Sequence, residues 1–126
     1  MEKQLPQITN SEWLIMKTLW ENSPLKSRDI VEEVCKKSSW NNKTIETLLK
    51  RLVDKGAVGY NLINSKTREY FPLVSQEECI RVENETFLKK VYDGSVSMMM
   101  AHFLKQQKLS KEELEKLKKM IEENEE

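Results

Sequence analysis

The stretch Lys43-Thr44-Ile45-Glu46-Thr47-Leu48-Leu49-Lys50-Arg51-Leu52-Val53-Asp54-Lys55-Gly56 carries two patterns at once. Ile45, Leu48, Leu49, Leu52 and Val53 follow the i, i+3, i+4, i+7, i+8 spacing of a single buried helical stripe. At about 100° per residue, Lys43, Thr47, Lys50, Arg51 and Asp54 fall on the opposite face, with Thr44 and Glu46 on its flanks. The spacing predicts a helix over 43–55, stopped by Gly56, whose exposed side is mostly basic and hydroxylic.

Upstream lie two shorter helical patterns. Thr9 followed by Glu12 is a capping box, and Trp13, Met16, Leu19 and Trp20 supply an apolar face, which predicts a helix over 10–21 ended by Asn22-Ser23-Pro24. Ser27 and Asp29 open a second, with Ile30, Val31 and Val34 spaced for burial. A polar connector over 38–42 follows, in which Trp40 is expected to pack over the core. Downstream of Gly56 the period changes. Residues 57–63 and 67–73 read as two short strands around an Asn64-Ser65-Lys66 turn, with Pro72 expected to confine the second to a sheet edge. Three helices followed by a two-stranded hairpin is the order of a winged helix-turn-helix.

A second region starts at Ser75, where Glu77 and Glu78 suit a helix start and Ile80, Phe87, Leu88 and Val91 mark a fourth helix ending near Asp93-Gly94. The fifth, over 95–107, carries Val96, Met98, Met99, Met100, Ala101, Phe103 and Leu104 around most of its circumference and is expected to be covered on several sides. A sixth begins at the Ser110 cap with Glu113 in the box position and runs through Leu114, Leu117, Met120 and Ile121 into an acidic tail. The expected organisation is mainly α: a winged helix-turn-helix domain over 1–74 and a three-helix dimerisation region over 75–126. Some fifty residues with one nearly all-apolar helix cannot hide that surface alone, so a homodimer is the simplest arrangement.

The 126 residues contain 21 Lys and Arg against 21 Asp and Glu, a formal net charge of zero that would seem to disfavour nucleic acid. Counted by region it does not. Residues 1–74 hold 12 basic and 9 acidic side chains, and residues 75–126 hold 9 and 12. Between Lys36 and Arg68 eight basic side chains face only Glu46 and Asp54, so positive charge gathers on the third helix and the hairpin. The expected interface therefore places Lys43, Thr44 and Thr47 at base edges, and Lys50, Arg51, Lys66 and Arg68 on phosphates of double-stranded operator DNA. The bland alternative, a solvated face of an ordinary helix, leaves the hairpin and the charge segregation unexplained.

Other functions find little support. A mean hydropathy of −0.67 and no apolar run near the roughly 18 residues of a bilayer span exclude a transmembrane helix. The start MEKQLPQ lacks signal-peptide architecture, which makes the cytoplasm the default location. Cys35 and Cys79, with no Cys-x-x-Cys, suit neither a disulfide scaffold nor a zinc ribbon and are expected to be buried small residues. One histidine, no phosphate-cradling glycine loop and no nucleophile elbow leave nothing from which to assemble a catalytic site, and no cofactor or metal is expected. The methionine run beside His102 suits an apolar interface better than a soft-metal site. A metal- or redox-responsive regulator using Cys35, Cys79 or His102, and a winged-helix adaptor that binds only protein, remain the readings from other classes.

The segments Ser11-Glu12-Trp13-Leu14-Ile15-Met16, Trp40-Asn41-Asn42-Lys43-Thr44-Ile45-Glu46-Thr47-Leu48-Leu49-Lys50-Arg51-Leu52, Arg68-Glu69-Tyr70-Phe71-Pro72-Leu73-Val74 and Phe87-Leu88-Lys89-Lys90-Val91-Tyr92-Asp93-Gly94 resemble the BlaI/MecI family of penicillinase and methicillin-resistance repressors. The resemblance spans almost the whole chain. It implies a homodimeric winged-helix repressor of an inverted-repeat operator in a resistance operon, with Lys43, Thr44, Thr47 and Arg51 on DNA. It also implies derepression through a membrane-bound sensor metalloprotease whose signalling leads to a cut in the dimerisation helix before a Phe. The matching pair here is His102-Phe103, where well-known members have Asn-Phe, and Glu46 stands where the family often has Arg. Related copper-responsive CopY-type repressors carry a C-terminal cysteine cluster that this Glu-rich tail lacks.

Overall fold

The computed structural model describes residues 5–106 and 109–124. The elements follow in the order α1 (Asn10–Glu21), β1 (Leu25–Lys26), α2 (Ser27–Lys37), α3 (Asn42–Asp54), β2 (Val58–Leu62), β3 (Arg68–Pro72), α4 (Gln76–Tyr92), α5 (Val96–Gln106) and α6 (Lys111–Glu123). Two compact units divide between Arg81 and Val82, so the first turn of α4, with its buried Cys79, belongs to the winged-helix unit.

The starts of α1 and α3 are capped by side chains, whereas Ser27, expected to cap α2, is its first helical residue and Lys26 at the cap position makes no capping bond. At α1 both halves of the box form: Glu12 N–H donates to Thr9 Oγ1 at 3.3 Å, and Thr9 N–H donates to Glu12 Oε1 at 2.9 Å. The helix α3 starts one residue earlier than the spacing predicts because Asn41 caps it, its Oδ1 accepting the Thr44 N–H at 2.8 Å. Its end turns on Gly56 at φ +82, a left-handed conformation that a Cβ would strain. The apolar stripes of the three helices meet in one core of Ile15, Met16, Leu19, Ile30, Val34, Ile45, Leu48, Leu49 and Leu52, floored by Ala57 and Val58. Trp40 packs on this core half-buried, as expected. Trp20 Nε1 donates to the Val74 carbonyl at 2.9 Å, tying α1 to the exit of the sheet.

The sheet differs from the expected two-stranded hairpin. It has three strands in the order β1-β3-β2, with Leu25 opposite Tyr70 and Lys26 opposite Glu69. Pro72 therefore lies on the central strand, which corrects its assignment to an edge. The geometry tolerates it. Leu73 N–H donates to the Ala57 carbonyl at 2.8 Å, and since N–H groups alternate along a strand, position 72 points the other way. On that side β1 pairs only as far as Tyr70, so no ladder bond is lost there.

In the second unit, α4 ends where Asp93 and Gly94 turn with φ of +50 and +87, and the Gly94 N–H donates back to the Leu88 carbonyl at 3.1 Å. Ser110 caps α6 by accepting the Glu113 N–H at 3.1 Å. The predicted end of the fifth helix at 107 and the last two residues of the acidic tail lie outside the described residues. No residue of α5 is buried: Val96, Met98 and Leu104 are each more than half exposed. The apolar circumference that demands cover in the sequence is not covered within one chain.

Candidate nucleic-acid interface

The side of α3 opposite the core presents Lys43, Thr44, Thr47, Lys50 and Arg51, all exposed, while Ile45, Leu48, Leu49 and Leu52 are buried behind it. The two faces are inseparable, because the same four residues that fix the helix in the core fix which way its cations point. Thr47 Oγ1 donates to the Lys43 carbonyl at 2.9 Å, leaving its lone pairs outward as acceptors. The Asn41 cap and the Thr44 N–H it holds set the start of the helix, the part that approaches base edges in helix-turn-helix proteins.

Beside α3 the hairpin supplies the second cationic element. Arg68 lies over the Tyr60 ring with its Cζ 4.3 Å from the centroid, and Tyr60 in turn leans on Tyr70 at 5.8 Å. A guanidinium resting on an aromatic face keeps its N–H groups free at the rim while losing side-chain freedom. A cleft of about 360 Å³ between α3 and the sheet is lined by Lys50 and Arg68 together with Glu46, Ser27 and Tyr60. The structure thus brings Lys50 of the helix and Arg68 of the wing to one cleft, whose lining also includes two acids, Glu46 and Asp54. At the hairpin turn Asn64 Oδ1 accepts the Lys66 N–H at 2.9 Å, holding the tip on which Lys66 is exposed.

A second depression, of about 390 Å³, is lined by Lys26, Arg28, Lys66 and Arg68 with Ser27 and Thr67. Lys26 and Arg28 were not among the residues expected from the sequence. They sit at the start of α2, separated from the hairpin in sequence by the whole of α2 and α3, and reach it only because β1 pairs with β3. Two basic residues flanking a helix-start serine were the available signal.

The remaining expected residues lie elsewhere. His102 and Phe103 are exposed in the middle of α5, in the second unit. Cys79 is buried as expected, whereas Cys35 is only half-buried, a correction to its reading as a core residue. It sits on the last turn of α2, facing the connector, and its Sγ is 3.7 Å from both the Trp40 carbonyl and Asn42 Oδ1. Among the described residues no three His, Cys, Asp or Glu side chains come together to hold a metal ion, and no helix is long and apolar enough to cross a membrane.

An exposed basic and hydroxylic helix set beside a cationic hairpin is the arrangement of a winged-helix domain, and the comparisons with known proteins make it that of a transcriptional repressor. Residues 8–123 match the penicillinase repressor family, and the chain belongs to it. The penicillinase repressor of Bacillus licheniformis is 34% identical over 97% of this chain and 94% of its own length. The methicillin resistance regulatory protein MecI of Staphylococcus aureus is 29% identical over 96% and 98%. Among solved structures, the DNA-binding domain of the repressor BlaI superposes with a TM-score of 0.54 at 32% identity, over 61% of this chain and 93% of that one. The monomeric form of Bacillus licheniformis BlaI in complex with the blaP half-operator gives 0.53 at 32% identity, with the same coverage.

Proposed function

We propose that this protein is a homodimeric repressor of an inverted-repeat operator in a β-lactam-resistance type of operon. In this reading Lys43, Thr44 and Thr47 meet base edges in the major groove, and Lys50, Arg51, Lys66 and Arg68 hold phosphates, joined by Lys26 and Arg28. The observation that carries it is the shared cleft of Lys50 and Arg68, since a groove-reading helix and a backbone-gripping wing must face one duplex together. The relative solved on its half-operator supports the same use of the fold. Two-fold pairing through the helices after residue 75 would place two copies of α3 in successive major grooves about 34 Å apart. Release follows a cut at His102-Phe103 to which signalling by a membrane-bound sensor metalloprotease leads, because separating the subunits turns one avid event into two weak ones.

The test is fluorescence anisotropy on an inverted-repeat probe from the promoter of the protein's own operon. Thr47→Ala and Arg51→Ala each lower affinity about tenfold, the worth of one good base or phosphate contact, without changing sedimentation. Wild-type binding by both variants would remove α3 from the interface. Salt-independent or undetectable binding by the wild type would leave a protein-only adaptor as the reading. Incubation with the cognate sensor protease followed by fragment mass mapping tests release, and an intact chain or a distant cut sinks it.

A further inference from the structure

Among the described residues from 82 onward a single side chain is buried, and it is Tyr92, 8% exposed. Its ring meets two others edge-on, Phe87 of α4 at 5.9 Å and His102 of α5 at 5.4 Å, and its hydroxyl lies 3.4 Å from His102 Nδ1. Tyr92 closes α4 and His102 is central in α5. The sharp Asp93-Gly94 turn between them and the Ser95 N–H bonded to the Tyr92 carbonyl at 2.8 Å fold one helix end back onto the other helix. The contact therefore clamps α5 at the residue immediately before Phe103.

We infer that Tyr92 is a latch that sets how readily the His102-Phe103 bond can be cut. This rests on the proteolytic release described above and names what controls it. A protease takes its substrate as extended backbone, so a helical bond is cut only from a locally unwound state whose population governs the rate. A helix of 11 residues is too short to hold itself in water, and within one chain no residue of α5 is buried, so its helical form rests on the Tyr92 contact together with the cover that the proposed pairing supplies. The Tyr92 ring, packed on His102, holds α5 in helical form next to the bond. Tyr92 is a positioning residue, acting on the bond through His102.

The test uses thermolysin on the full chain, a general zinc endopeptidase that cuts before large apolar residues and so probes opening without the cognate sensor. First cuts are located by mass, under conditions where wild type and variants sediment alike. All three tryptophans, Trp13, Trp20 and Trp40, lie in the winged-helix unit, so their fluorescence confirms that this unit is intact in each variant. Tyr92→Ala raises the rate at 102–103 up to about tenfold, the worth of the one edge-on ring contact that reaches α5. Tyr92→Phe, which keeps both rings in contact, stays within about threefold of wild type. In a cycle with His102→Ala, the double variant is cut no faster than the faster single one, because both remove the same contact. The latch is overturned by an unchanged rate in Tyr92→Ala, by a Tyr92→Phe rate equal to that of Tyr92→Ala, by additive effects in the cycle, or by an equal rise at the bonds before Leu114 and Leu117, which would mean general loosening. A sensor protease that never cuts the chain would sink the release model and leave this result standing.

Discussion

Lys55 Nζ lies 2.6 Å from Glu12 Oε1 and 2.8 Å from the Gln7 carbonyl, so the end of α3 is fastened to the start of α1. Glu12 is almost wholly buried, at 1% exposure, and the oxygen that takes Lys55 also accepts the Thr9 N–H of the helix cap. One carboxylate thus serves a helix start and a link between helices. The orientation of α3, on which the proposed reading of DNA depends, is fixed by its buried stripe and, at its end, by this link.

Burial alone would push the Glu12 carboxyl up, but the Lys55 hydrogen bond, the Thr9 N–H and the Lys55 charge more than offset it, and its pKa lies below the ordinary 4.5. A group depressed in the folded state contributes stability that is complete above its unfolded value and lost as pH falls through its folded value. Glu12→Gln is therefore expected to cost about 1–2 kcal/mol at neutral pH. It should also flatten the loss of stability below about pH 4.5. Lys55→Met leaves a buried carboxylate without its counter-charge and costs about 3 kcal/mol, the low end for buried pairs because Lys55 is partly in water. Urea denaturation followed by tryptophan fluorescence across the acid range checks both. Parallel pH profiles for wild type and Glu12→Gln would show that the pair carries no such linkage.

What the sequence made legible is what local chemistry decides. The Thr9–Glu12 box, the stripe from Ile45 to Val53 and the Gly56 stop each act within a few residues, and each helix of the first unit lies where its stripe predicts. The strand β1 was not legible because two residues after Pro24 are too few to alternate, and only pairing with Tyr70 and Glu69 makes them a strand. Two errors descend from it: the edge assigned to Pro72, and the omission of Lys26 and Arg28 from the cationic surface. At α5 the pattern predicts a helix covered on several sides, whereas within one chain none of its residues is buried. A hydrophobic pattern states a demand for cover without naming what meets it.

Lys26 and Arg28 line a depression with Lys66 and Arg68, and four cations around one hollow suit a phosphate. Arg28→Ala is expected to weaken operator and random-sequence DNA by the same factor. Removing one phosphate contact also lowers the slope of log affinity against log salt by about 0.9. Thr47→Ala, at a base edge, leaves that slope unchanged while narrowing the gap between operator and random DNA. Anisotropy titrations from roughly 50 to 200 mM salt separate the two. An Arg28→Ala slope identical to wild type would place this depression outside the DNA footprint.

The Asn41 cap joins stability to recognition. Its Oδ1 holds the Thr44 N–H at 2.8 Å, and Lys43 and Thr44 are the first side chains on the exposed start of α3. Asn41→Ala frees that N–H and costs about 1 kcal/mol of stability. Fraying of the first turn then displaces Lys43 and Thr44, and operator affinity falls about fivefold more than random-sequence affinity. Asn41→Ser, which can cap equally well, restores both quantities. Thermal denaturation and anisotropy on the same samples test the coupling; a Ser variant as weak on operator DNA as Asn41→Ala would show that Asn41 acts by direct contact instead.

The uncovered helices make the strongest demand on the whole molecule. In one chain Val96, Met98, Phe103 and Leu104 of α5 and Leu114, Met120 and Ile121 of α6 are each at least 41% exposed. Seven large apolar side chains in water are costly, at roughly 1.5–3 kcal/mol each when fully removed from it, and a second copy of the chain is the partner always present. Leu104→Glu places a carboxylate where the proposed interface excludes water. Dimer association is then expected to weaken by no less than about a hundredfold, since an unpaired charge buried there costs several kcal/mol. The same variant should bind an isolated half-site as wild type does, because Leu104 lies outside the winged-helix unit, and lose about a hundredfold on the full inverted repeat, where avidity is spent. Sedimentation equilibrium gives the first quantity and anisotropy on half and full operators gives the second. A wild-type chain that sediments as a monomer at micromolar concentration, or a Leu104→Glu chain that still pairs, would move the cover of α5 to a different protein.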